Sequence, residues 1–164
     1  MEEAVDAARS ADAVIMVLGD NSNFYAGVGW GDDEDTGEVT VTCGEGFDVH
    51  SLDLPGRQEL LLETVCAAGK PVILIMESGR PYAICWAKEN VPAIIQAWYP
   101  GEQGGYALAD ILFGDVNPSG RLPISFPRSA GHIPAFYNHK VTARGYYIVS
   151  ARHTRQARQR LCIR

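Results

Sequence analysis

Three short apolar runs, separated by segments with helical patterns, constrain the fold of this chain more than any other feature. Each run has glycine or proline at or beside one of its ends. Runs of this length are too short for ordinary helices and are typical of strands buried on both faces of a parallel sheet. We therefore predict three strands, at residues 13–18, 71–76 and 93–98.

Helical patterns alternate with these predicted strands along the chain. One predicted helix opens at residues 54–56, with Pro55 in the first helical position, and ends near Gly69. A fourth strand is predicted over residues 121–126, where Pro123 suits an edge or a bulge. This alternation predicts the α/β class, with a mostly parallel sheet and helices on both faces, a three-layer α/β/α sandwich. The other predicted helices are residues 2–11, 81–88 and 104–113.

Three connections follow the predicted strands and should meet at one edge of the sheet. They are residues 19–53, 77–80 and 99–104. In open α/β sheets, ligands bind in the crevice beyond the carboxyl ends of the strands. We therefore expect the functional residues of this chain to lie in these connections.

The first connection is long and acidic, and it contains Glu45 between Gly44 and Gly46. Glycines on both sides let the backbone of Glu45 approach a ligand closely. Burial of Glu45 beside Phe47 would raise the pKa of its carboxyl group and favour general-acid chemistry. From composition alone, the alternative is a solvated acidic loop.

Two aromatic residues at the end of the third predicted strand, Trp98 and Tyr99, are candidates for stacking against a sugar ring. Packing in the core is the alternative for Trp98. Asp33 and Asp35 begin a pattern resembling a calcium loop, but its glycine comes one residue early and a third ligand is missing, so we predict no metal site. No glycine-rich fingerprint follows the first strand, and no cofactor is predicted.

Charge is distributed unevenly over a chain whose net charge is −6. All 20 acidic residues and 8 of the 14 basic residues lie in residues 1–143, which therefore carry −12, whereas the last 21 residues contain six arginines and no acid. The acidic balance argues against a nucleic-acid partner. The longest apolar run is too short to span a bilayer, so no membrane partner is predicted either.

A series of short motifs follows one order along residues 2–147. The motifs are Gly44-Glu45-Gly46-Phe47-Asp48, Leu52-Asp53-Leu54-Pro55-Gly56-Arg57-Gln58-Glu59-Leu60, Gly69-Lys70-Pro71-Val72, Ser78-Gly79-Arg80-Pro81, Trp98-Tyr99-Pro100-Gly101-Glu102-Gln103-Gly104-Gly105, Ala109-Asp110-Ile111-Leu112-Phe113-Gly114-Asp115-Val116-Asn117-Pro118-Ser119-Gly120-Arg121-Leu122-Pro123 and Tyr137-Asn138-His139-Lys140. In this order they resemble glycoside hydrolase family 3, especially its β-glucosidase and related exo-acting members. The stretch from Trp98 to Pro127 is the most specific part of the resemblance.

The resemblance implies a retaining glycosidase of two domains, acting on a β-glucoside or oligosaccharide. A barrel domain would supply the aspartate nucleophile, and this α/β domain would supply Glu45 as acid/base. Asp48 would join the hydrogen-bond network around Glu45 and the substrate. Val49 departs from the family pattern, which usually has arginine there, and this change would weaken that network.

We predict that residues 1–147 form the α/β-sandwich domain and that residues 148–164 form an atypical basic tail, either disordered or produced by a shifted reading frame. The N-terminal barrel is expected to be missing from this chain, which alone would be inactive. Apolar surface that the barrel would cover makes self-association an expectation. The alternative function is a non-catalytic carbohydrate-binding or assembly module. Family members are often exported, and no compartment is predicted for this chain.

Overall fold

The computed structural model describes residues 1–22, 42–44 and 48–133, together with the backbone of residues 161–163. The elements alternate between helix and strand as predicted, and helix α4 has the predicted bounds. They are α1 (Glu2–Ser10), β1 (Val14–Gly19), α2 (Gln58–Cys66), β2 (Val72–Glu77), α3 (Cys85–Asn90), β3 (Ala93–Gln96), α4 (Gly104–Phe113), β4 (Phe126–Pro127), a 3₁₀ turn (Ala130–His132) and β5 (Leu161–Ile163).

Strands β1, β2 and β3 form a parallel sheet with β2 in the centre. Met16 pairs with Leu74, which in turn pairs with Ile94, so these three side chains share one face of the sheet. That face packs on α1, α2 and α3, whose buried residues belong to the same apolar cluster as Leu74. No residue of α4 belongs to this cluster. The predicted α/β class, with a parallel sheet and helices packed on it, is confirmed.

The opposite face of β1 is more open than we predicted. Ile15 and Val17 are 49% and 53% exposed, whereas Met16 and Leu18 on the same strand are buried. The prediction that β1 is buried on both faces is therefore wrong. The physical reason is its position at the edge of the sheet, where one face packs on the helical cluster and the other has half of its apolar surface in solvent.

Several predicted boundaries are also wrong: α3 is Cys85–Asn90 and not 81–88, and β3 ends at Gln96 and not at Trp98. Two further boundaries have a backbone reason. Helix α2 begins at Gln58 and not at Pro55, because Gly56 has a left-handed φ of 62° that breaks helical geometry before it starts. The predicted fourth strand over residues 121–126 is reduced to Phe126–Pro127, which pairs antiparallel with β5 in a separate small sheet. Pro123 cannot donate a ladder hydrogen bond, and this accounts for the short strand.

Candidate functional site

The carboxyl ends of the three parallel strands bring together four segments of the chain around one side chain, Asp20. Asp20 follows the last residue of β1, and its backbone N–H donates to Glu77 O at the end of β2 at 2.9 Å. Tyr82 and Tyr99 come to the same place from the connections that follow β2 and β3. This is the edge at which we predicted the functional connections to meet.

The Asp20 carboxylate accepts hydrogen bonds at both oxygens. Oδ1 accepts from the Tyr82 hydroxyl and from Thr42 Oγ1 at 3.4 Å. Oδ2 accepts from the backbone N–H of Gly79 at 3.2 Å and from the Tyr99 hydroxyl at 3.2 Å. We call Asp20 with these four donor residues the Asp20 hub.

Gly19 allows the end of strand β1, just before Asp20, to lie close to the end of strand β2. Its φ is 148°, and a Cβ atom added to it would lie 1.9 Å from Glu77 O. The backbone N–H of Gly19 donates to Gln58 Oε1, and Gln58 Nε2 donates to Gly19 O, both at 2.8 Å. Only glycine fits this position, because any side chain would push the two strand ends apart.

Thr42 lies beside Asn21, the residue that follows Asp20. The backbone N–H of Thr42 donates to Asn21 O at 2.8 Å, and the N–H of Asn21 donates to Thr42 Oγ1 at 2.8 Å. Next to this pair, Cys43 is buried at 6% exposure, and its Sγ atom lies 3.3 Å from the Tyr99 hydroxyl. Residues 42–44 are therefore held against the carboxyl edge of the sheet.

Both tyrosines of the hub are held in the protonated, hydrogen-donating form. Burial raises the pKa of Tyr82, and its hydrogen bond to the Asp20 carboxylate raises that pKa further. Burial also raises the pKa of Tyr99, with further contributions from its contact with Cys43 and from the negative charge of Asp20. An ionised phenol beside the Asp20 carboxylate would place two negative charges in contact, which explains the direction of both shifts.

Trp98 adopts an uncommon backbone conformation that directs the next residue back toward the hub. Its φ is 57°, in the left-handed region that bulky residues rarely occupy. The indole packs on the Phe126 ring, with centroids 6.4 Å apart, and lies against the apolar cluster. The Tyr99 ring then approaches Gly79 so closely that a Cβ on Gly79 would lie 2.8 Å from it.

The predicted site residues differ in whether the structure describes them and in how exposed they are. Glu45 lies outside the described residues, and its predicted role stays a prediction. Asp48 is described and exposed. Tyr99 is 60% exposed although its hydroxyl is bonded in the hub, and Trp98 is partly buried in the packing foreseen as its alternative.

Asp20 is the residue that our sequence reasoning missed. An acidic side chain directly after the first strand of a parallel sheet lies at the edge where ligands bind, and that position alone could have marked it. The sequence does not reveal that residues 42, 79, 82 and 99 supply its donors, because these partners are 22 to 79 residues away along the chain.

Other parts of the described chain offer less for function. A depression of about 360 Å³ lies between α1 and α2, lined by Met1, Glu2, Val5, Asp6, Arg9 and Thr64, and it shares no residue with the hub. Within the described ranges, no group of three or more His, Cys, Asp or Glu side chains is arranged to hold a metal ion. None of the helices there is both long and apolar enough to cross a membrane.

Comparison with known proteins identifies the chain. Residues 1–158 match the glycosyl hydrolase family 3 C-terminal domain. A β-xylosidase from Formosa agariphila is 42% identical over 135 residues, which are 82% of this chain and 16% of that protein. A periplasmic β-glucosidase from Salmonella typhimurium is 39% identical over 146 residues, covering 89% of this chain and 17% of that protein.

Solved structures give the same result. A β-glucosidase from Erythrobacter marinus superposes with a TM-score of 0.69 at 40% identity, over 91% of this chain and 18% of that one. A β-glucosidase from Listeria innocua, solved in complex with glucose, has a TM-score of 0.70 at 31% identity, over 87% of this chain and 18% of that one. The chain thus spans less than a fifth of the length of these relatives. The chain belongs to glycoside hydrolase family 3, within which it corresponds to the C-terminal domain.

Proposed function

We propose that this chain is the acid/base-bearing domain of a retaining, exo-acting β-glycosidase that hydrolyses terminal β-linked sugars. Family membership supports this assignment, as do relatives named as β-glucosidases and a β-xylosidase. Glu45 is the acid/base, and an N-terminal barrel domain supplies the nucleophile. The substrate is a β-glucoside or an oligosaccharide.

The observation that carries the proposal is the position of Gly44. Residues 42–44 are held at the carboxyl edge of the sheet by the bonds of Thr42 to Asn21 and by the contact of Cys43 with Tyr99. Glu45 is the next residue in the chain. This edge is where open α/β sheets bind their ligands, which supports the proposed role of Glu45.

The reaction needs two carboxyl groups with different duties. In the first step Glu45, protonated, gives its proton to the leaving oxygen while the nucleophile of the barrel bonds to the anomeric carbon. In the second step Glu45, now ionised, takes a proton from the water that releases the sugar. Asp48 supports the hydrogen-bond network at the substrate, and Trp98 with the exposed ring of Tyr99 contacts the sugar.

The test is to substitute Glu45→Gln in the protein extended by its barrel domain. With aryl β-glucosides that have poor leaving groups, kcat/KM should fall by about 10²- to 10⁴-fold, because these leaving groups require protonation. With a dinitrophenyl glucoside the first step should hardly change, since that leaving group departs without a proton. Added azide should restore turnover and yield a glycosyl azide, because azide attacks the glycosyl-enzyme without needing a base.

Glu102→Gln is the matched control, since Glu102 is an exposed glutamate on the connection between β3 and α4. It should leave the kinetics unchanged. The 164-residue chain alone should not hydrolyse aryl β-glucosides. Turnover by that chain, abolished by Glu45→Gln, would show that the barrel is not required. Glucose binding without turnover in the extended protein would replace the proposal with a non-catalytic carbohydrate-binding module.

A further inference from the structure

We propose that Asp20 is a positioning residue, which fixes residues 42–44 against the carboxyl edge of the sheet and so sets where the segment carrying Glu45 begins. The inference rests on the function proposed above for Glu45. It concerns a side chain that acts through the side chains it holds, those of Thr42 and of Tyr99 beside Cys43.

The hydrogen bonds of Asp20 favour a positioning role. An ionised carboxylate has about four acceptor positions. Asp20 uses them for Tyr82, Thr42, Gly79 and Tyr99, two donors at each oxygen. A carboxylate with donors of its own chain at both oxygens is suited to holding those donor residues in place.

The four donor residues are distant from Asp20 in sequence, and no local sequence pattern would bring them to it. Thr42 is 22 residues from Asp20, Gly79 is 59 residues away and Tyr99 is 79 residues away. The connections after all three parallel strands therefore meet on one charged group. Hydrogen bonds to a charged acceptor are roughly twice as strong as neutral ones, so the hub outweighs the tendency of exposed connections to move apart.

Cys43 provides a reporter for this arrangement. Its thiol is buried at 6% exposure, and its Sγ atom contacts the same Tyr99 hydroxyl that donates to Asp20. Loss of the hub frees the Tyr99 hydroxyl beside Cys43 and removes the bond of Thr42 Oγ1 to Asp20, while the two bonds between Thr42 and Asn21 remain. Alkylation of Cys43 therefore measures how firmly residues 42–44 are held, without requiring any catalytic activity.

The experiment measures the rate of Cys43 alkylation by iodoacetamide in the folded 164-residue chain, with the modified cysteine identified by mass spectrometry. Asp20→Asn keeps the size of the side chain but replaces an acceptor oxygen with a donor, so it should raise the rate roughly tenfold or more. Ultraviolet titration of the phenols gives a second signature, because loss of the negative charge should let Tyr82 and Tyr99 ionise at lower pH. Tyr99→Phe removes one donor at an exposed residue and should raise the alkylation rate to a smaller extent.

Tyr106→Phe is the matched control, since Tyr106 is a tyrosine of α4 at 74% exposure, and its alkylation rate should equal that of the wild type. In the barrel-extended enzyme, Asp20→Asn should lower kcat with little change in KM. Unchanged alkylation and phenol titration in a folded Asp20→Asn chain would overturn the proposal. If Asp20→Asn does not fold, Tyr99→Phe decides, and an unchanged alkylation rate there overturns it. Lack of glycosidase activity would instead count against the proposed function, because alkylation and titration do not depend on it.

Discussion

The carboxyl edge of the sheet and the outer face of strand β1 differ in whether their side chains have partners within the described chain. At the edge, the charged Asp20 is paired with donors from four other residues of the chain. On the face, Ile15 and Val17 are 49% and 53% exposed, and on α4 Phe113 is 81% exposed. The polar groups at the edge have partners within the described chain, whereas the apolar side chains of the outer face and of α4 leave surface in contact with solvent.

This contrast bears on how a family 3 C-terminal domain is built. The hub does not need another domain for its hydrogen bonds, so Thr42, Gly79, Tyr82 and Tyr99 can hold their places around Asp20 before any partner is present. The exposed apolar surface contributes little to the stability of the chain, because apolar groups stabilise a fold only when they are removed from water. The geometry of the carboxyl edge and the exposure of the outer face are thus separate properties, which can be tested separately.

The largest effect should come from Gly19→Ala, which attacks the edge. The added Cβ would lie 1.9 Å from Glu77 O, and the φ of 148° is itself strained for alanine. We expect the free energy of unfolding to fall by more than about 4 kcal/mol, which many domains of this size do not survive. Urea unfolding followed by circular dichroism measures this. Gly120→Ala is the control, because nothing lies within 4 Å of its Cβ position, and equal losses in the two variants would contradict the role of Gly19.

Gly19 and Asp20 also illustrate what the sequence could and could not predict. Apolar runs and helical periodicity were enough to predict the succession of strands and helices along the chain and the edge at which the connections meet, because these depend on local patterns. The hub could not be predicted, since it depends on contacts between residues distant in sequence and on the φ of residues such as Trp98. The predicted start of α2 was wrong for a similar reason, because the residues around Gly56 do not reveal its positive φ. The role of Glu45 remains a prediction from the family motif.

A smaller effect is expected at high pH, again at the edge. The pKa values of Tyr82 and Tyr99 are raised in the folded chain above the value of 10.0 of a free phenol. The unfolded chain therefore loses these protons first, and the stabilisation is complete below about pH 10 and is lost as the pH rises through the folded pKa values. Urea unfolding between pH 8 and pH 11 should show this decline, flatter in Tyr82→Phe. If Tyr82→Phe declines as steeply as the Tyr106→Phe control, the Tyr82 phenol is not responsible.

The smallest effect on stability should come from the outer face, with Ile15→Thr and Val17→Thr. Threonine keeps the β-branched shape that suits a strand, and both side chains are already about half in solvent, so each change should shift the free energy of unfolding by no more than about 0.5 kcal/mol. Leu18→Thr on the same strand, at 8% exposure, should cost at least about 2 kcal/mol, because it removes buried apolar atoms and buries a hydroxyl.

If the exposed face drives self-association, sedimentation velocity should show less association in the double variant Ile15→Thr/Val17→Thr than in the wild type. Should Ile15→Thr destabilise the chain as much as Leu18→Thr does, the outer face is covered by the chain itself, and the contrast between the two regions fails.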